Sequence, residues 1–186
     1  RDLQSTAINH HQTPLFVAVD QEGGRVARLR EPFTLFPGNE AIGESDIPEE
    51  SAEQYAHITA REMGLVGLNM NMAPVVDVRR GKPEKHLSGR IFSENPDLVG
   101  RLGRIVIRLF QQKRIMAVAK HFPGLGPAQI DPHLDLPKIE IDEKELAEVN
   151  LPPFRAAIDE GVSSIMTSHA IYPAIDPDNP ATLSIK

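Results

Sequence analysis

Four short apolar runs constrain this chain more than any other feature: "PLFVAV" (14–19), "LNMNMAPVV" (68–76), "IMAVA" (115–119) and "VSSIM" (162–166). They read as strands buried on both faces, the pattern of a parallel sheet. Amphipathic segments lie between them. The clearest is 96–113, with Asn95 as N-cap, Pro96 in the first helical position and Leu98, Leu102, Ile105, Val106, Leu109 and Phe110 on one stripe. Another runs from about 49 to 63 and turns Ala52, Tyr55, Ala56, Thr59 and Met63 inward. A third starts at Asp142 with Glu145 completing a capping box; Pro152 and Pro153 interrupt it, and "FRAAIDEG" resumes to a stop at Gly161. Such alternation predicts an α/β protein with crossover connections. The strands begin roughly 50 residues apart, against about 30 for an average unit of an eight-fold β/α barrel. The excess follows the strands, on the side where ligands bind in barrels and open sheets alike.

The strand ends agree with that placement. They carry Asp20, Asp77, Lys120 with His121, and Ser168 with His169, which predicts a polar small-molecule pocket at the carboxyl face. Nucleic acid and anionic membrane surfaces are excluded as partners, because the net charge is −6 and the basic residues are scattered. No apolar stretch approaches the roughly 18 residues of a membrane span. The absence of cysteine rules out disulfides and thiolate chemistry. "SDIPEE" and "GKPEK", with His10, His11, His57 and His86, read as surface.

Several constellations leave two readings open. "DQEGGRVARL" requires a tight turn with positive φ at Gly23 or Gly24 and lacks the dinucleotide-binding spacing. Asp20 with Arg25 and Arg28 suits either sugar hydroxyls or a structural ion pair. Arg90, on a loop ahead of the helix cap, reads in isolation as a solvated arginine. Lys120 and His121, adjacent on an extended segment, should point to opposite sides, one into the pocket and one bracing a loop. In Asp131-Pro132-His133 the proline keeps Asp131 extended, so carboxylate and imidazole share one side and can hydrogen-bond. That contact fixes the ring tautomer and suits His133 to proton donation; a plain Asx-turn with a solvated histidine fits equally well. His121, Asp131, His133 and His169 are metal-ligand types, but no His-x-His or helical His-x-x-x-His spacing occurs and Lys120 would repel a cation, so no metal is expected.

"AVDQEGGRVARL", "NMNMAPVVDV", "SGRIFSENP", "KHFPGLG", "DPH" and "IMTSHAIYP" occur in an order that resembles glycoside hydrolase family 3 from about Pro14 onward. The resemblance is to its β-N-acetylglucosaminidase branch, which includes bacterial enzymes of muropeptide recycling. It implies a (β/α)8 TIM-type barrel of which residues 1–186 supply about half, roughly strands 2 to 5 of one catalytic domain. It implies a retaining hydrolase that removes terminal β-linked N-acetylglucosamine without a cofactor, in the cytoplasm. By the same resemblance Asp20, Arg28, Arg90, Lys120 and His121 hold the sugar, and His133 paired with Asp131 is the acid/base. The family's attacking aspartate follows a Ser-Asp-Asp pattern that this sequence lacks. The expectation is therefore a fragment that needs the remainder of its barrel and is inactive alone. Leu125 replaces a histidine common in relatives and Pro132 a serine, which predicts altered loop mobility. A non-catalytic sugar-binding remnant and a glycoside phosphorylase on the same scaffold are the alternatives.

Overall fold

The computed structural model describes residues 2–10, 13–81 and 85–186; His11 and the 82–84 part of "GKPEK" lie outside them. Helix α1 (Asp2–Asn9) precedes strand β1 (Ala18–Val19), a hairpin of β2 (Gln21–Gly23) and β3 (Val26–Ala27), then α2 (Asn39–Gly43) and α3 (Pro48–Leu65). Strand β4 (Met70–Asn71) is followed, after a long loop, by α4 (Pro96–Gln112). Strand β5 (Met116–Phe122) is followed, after a second long loop, by α5 (Glu143–Glu145), a π turn (Leu146–Asn150) and α6 (Leu151–Asp159). Then come β6 (Ser164–Thr167) and a hairpin of β7 (Ile171–Tyr172) and β8 (Asp176–Pro180).

Strands β1, β4, β5 and β6 form one parallel sheet in chain order, with Ala18 opposite Met70, Met70 opposite Met116 and Val118 opposite Ser164. Consecutive parallel strands joined through helices are the β/α units of a barrel wall. Burial on both faces holds only for the central pair, β4 and β5. In the first run Leu15 and Phe16 are 40% and 72% exposed, because this run lies at the end of the sheet with a neighbour on one side only. Part of its bonding also comes from a side chain: Asn69 accepts the Val17 N–H at 2.7 Å and donates to the Leu15 carbonyl at 2.9 Å.

The helix signals act where the sequence places them. The Asn95 side chain accepts from the N–H groups of Asp97 and Leu98, and Asp142 accepts from Glu145 N–H. Pro152 and Pro153 do not interrupt the third helix. They sit in the first turn of α6, and the π turn before them absorbs the missing donors.

Helix α4 packs against both α3 and α6. Tyr55, Met63, Leu102, Val106, Phe110, Ala117 and Phe154 make the main core there, the large aliphatic and phenyl side chains each contributing about 2 kcal/mol by their burial. A second, smaller core holds Val75, Leu87, Ile91, Leu125, Ile139 and Tyr172 under the long loops. Those loops therefore rest on packed apolar side chains of their own. At Gly126 a Cβ would meet the Val78 carbonyl oxygen at 1.8 Å, so only glycine lets the loop approach so closely.

Candidate active site

Beyond the carboxyl ends of the sheet lies a cavity of about 620 Å³, within the roughly 300–1,000 Å³ usual for small-molecule sites. Asp20, Arg28, Arg90, Lys120, His121, Asp131 and His133 all line it. The structure thus brings together every site residue expected from the sequence.

The floor is ionic and buried. Glu22, 1% exposed in its side chain, takes the Arg90 guanidinium in a two-point contact, Nε and Nη2 each at 2.8 Å. It also receives Lys120 Nζ at 2.6 Å. Lys120 reaches Asp20 at 3.1 Å, and Arg28 meets the other Asp20 oxygen at 3.8 Å in a much more exposed pair. Burial alone would push the Glu22 carboxyl up, but hydrogen bonding from Arg90 and the charges of Lys120 and Arg90 outweigh it and hold it below the usual carboxylate range. Arg90 is therefore not the solvated loop arginine its setting suggests; its side chain is 10% exposed, because Glu22 supplies a buried counter-charge.

Sequence reasoning missed Glu22. The available signal was its position two residues after Asp20 on an extended segment, which turns both carboxylates to one side. The turn that follows has positive φ at both Gly23 and Gly24, and it carries the chain into β3. Tyr55 of α3 anchors this segment by donating its hydroxyl to the Gln21 carbonyl at 2.6 Å.

Lys120 and His121 do not face opposite ways. Both line the cavity, because β5 departs from a regular strand here: its register against β6 shifts between Lys120 and Phe122. Fully buried Asp77 fixes His121. It accepts His121 Nδ1 at 2.7 Å, His121 N–H at 3.2 Å and Leu125 N–H at 2.7 Å. Burial pushes Asp77 up, but the His121 ring and these N–H donors bring it below the ordinary range. With Nδ1 committed to Asp77, the other ring nitrogen lies 3.5 Å from Arg90 Nη2. Leu125, the departure from the common histidine, is 2% exposed and packed in the second core. Tyr172 holds the same loop through the Gly124 carbonyl at 3.0 Å.

The Asp131–His133 segment makes both of the contacts that the sequence allows. One Asp131 oxygen accepts the His133 N–H at 2.9 Å, an Asx-turn, and also the His133 Nδ1 at 2.8 Å. These contacts, the backbone one first, hold the Asp131 carboxyl below its ordinary range, with a contribution from the charge of His86. The His133 side chain is 82% exposed at the cavity rim. His86 is not a surface residue: it is 9% exposed and lines the cavity, held where its carbonyl accepts from Arg90 Nη1 at 3.1 Å. Met166, Thr167, Ser168 and His169 complete the wall. Among the described residues no three histidine, aspartate or glutamate side chains group as a metal site would need.

A model of the glycosyl hydrolase family 3 N-terminal domain matches residues 1–186. The chain is 39% identical over 180 residues to beta-hexosaminidase A of Pseudoalteromonas piscicida, covering 94% of this chain and 30% of that protein. It superposes with a TM-score of 0.93 and 40% identity on a glycoside hydrolase family 3 beta-N-acetylglucosaminidase from Paenibacillus, covering 98% of this chain and 35% of that one. It superposes with a TM-score of 0.86 and 32% identity on NagZ from Neisseria gonorrhoeae in complex with N-trifluoroacetyl-D-glucosamine, covering 95% and 53%. The chain thus spans about half or less of the length of these relatives.

Proposed function

Since the chain belongs to glycosyl hydrolase family 3 and supplies about half of its TIM-type barrel, we propose that it is the sugar-gripping half of a retaining β-N-acetylglucosaminidase. The observation that carries this reading is the convergence of seven polar residues from four separate stretches of the sequence on one cavity. Asp20, Arg28, Arg90, Lys120 and His121 hold the hydroxyl and acetamido groups of the terminal sugar. Glu22 and Asp77 aim them from behind.

His133 acts as the acid. Its Nδ1 is tied to Asp131, so Nε2 presents the proton to the glycosidic oxygen as the bond to the leaving group breaks. An aspartate from beyond these 186 residues attacks the anomeric carbon and forms a glycosyl-enzyme. Water then displaces it, with His133 taking the water's proton. The exposure of His133 suits a donor carried by a loop that closes over bound sugar. The substrate is a cell-wall muropeptide in this reading, a choice supported by resemblance to the recycling branch of the family.

The test is hydrolysis of a chromogenic N-acetylglucosaminide by the full-length protein. Turnover is expected, and His133→Ala should abolish most of it. No turnover by an intact wild type would leave the sugar-binding alternative. N-acetylglucosamine 1-phosphate formed in phosphate buffer would make the enzyme a phosphorylase.

A further inference from the structure

His169 lines the cavity, and the role of its ring is fixed by its contact with Thr182. Thr182 Oγ1 donates to the Ser168 carbonyl at 2.9 Å, and a carbonyl only accepts. A threonine hydroxyl has one proton, so in its 2.7 Å contact with His169 Nδ1 the oxygen is the acceptor and Nδ1 the donor. The neutral ring therefore carries its proton on Nδ1 and a lone pair on Nε2. Thr182 is outside the cavity lining, which leaves Nε2 as the cavity-side nitrogen, and it makes no hydrogen bond among the described residues.

The polar wall is rich in cations that only donate, and this nitrogen adds an acceptor to it. Arg25, Arg28, Arg90 and Lys120 only donate, and the lining carboxylates Asp20 and Asp131 divide their lone pairs between protein partners and whatever the cavity holds. A sugar brings hydroxyl protons and an amide N–H that need acceptors. We infer that His169 is a substrate-contacting specificity residue whose Nε2 accepts a hydrogen bond from an O–H or N–H group of the bound N-acetylglucosaminide, an inference resting on the glycosidase reading above.

In the full-length enzyme, His169→Leu should lower kcat/KM about ten- to a hundredfold, because a substrate donor loses its acceptor. His169→Gln places an amide oxygen near the Nε2 position and should retain activity within about threefold, a rescue that a merely structural histidine would not show. Thr182→Val removes the lock on Nδ1 and should cost about three- to tenfold. Nitrogen-15 NMR of the imidazoles gives a readout independent of turnover: His169 should show Nδ1–H, and N-acetylglucosamine should shift its Nε2 signal. A Leu variant within twofold of wild type, or an Nε2–H tautomer, overturns the inference. Wild type inactive on N-acetylglucosaminides but with an Nε2 signal that responds to the sugar would sink the glycosidase reading and leave the contact standing.

Discussion

The buried floor of the cavity and its exposed Asp131–His133 limb are built from the same kinds of group under opposite conditions. On the floor, Glu22, Arg90 and Lys120 are 1%, 10% and 2% exposed, so every charge needs its partner to remain there. On the limb an equally short carboxylate–imidazole contact involves a ring that is 82% exposed, and water could replace either partner. Stability should therefore depend more on the floor than on the limb. Substitutions in the two regions should fail in different ways.

The largest effect expected is on the limb and on chemistry alone. His133→Ala should lower kcat about a hundred- to ten-thousandfold, the usual worth of a positioned acid/base. The unfolding midpoint of the full-length protein should stay unchanged, as measured by thermal or urea denaturation. A large loss of stability here would erase the distinction between the regions.

On the floor the failure should be in folding. Glu22→Ala leaves the buried Arg90 without its carboxylate partner and Lys120 with Asp20 alone, which costs about 3–5 kcal/mol. Urea denaturation should show this, with weaker N-acetylglucosamine binding beside it. A destabilisation below about 1 kcal/mol would mean that water reaches these groups and that the floor is no more rigid than the limb.

Acid should sharpen the contrast. Glu22 and Asp77 both have folded pKa values below their ordinary ones. Their contribution to stability is therefore fully present above the unfolded carboxylate range of about 4 and is lost as pH falls through the lowered folded values. Urea midpoints should be flat above about pH 5 and decline below it, less steeply in Glu22→Gln than in wild type. Equal slopes in the two proteins would remove Glu22 from the acid response.

The same division explains what the sequence disclosed. Asn95, Asp142 and the inward stripe of α3 were readable because each acts on residues within a few positions, as caps and helical faces do. The strand ends were readable as a pocket because apolar runs stop abruptly on Asp, Lys and His. Glu22 was not, since its partners are 68 and 98 residues away and only the fold brings them together. Arg90 and His86 looked like surface for the same reason. The paired orientation of Lys120 and His121 depends on an irregular strand, which no local propensity signals.

A similarly small shift in stability tests the limb from its other member. In Asp131→Asn the side-chain oxygen can still accept the His133 N–H, so the Asx-turn survives. What disappears is the negative charge facing Nδ1, in a pair whose exposure makes it worth less than about 1 kcal/mol. Denaturation should barely register the change. Activity should register it, because a neutral amide supports a proton-carrying ring less well than a carboxylate does, and its NH2 can turn toward Nδ1 and reverse the tautomer. A fall in kcat with KM little altered is the expected split. Unchanged kcat would reduce Asp131 to a turn residue, and a destabilisation as large as that of Glu22→Ala would show the limb to be part of the floor.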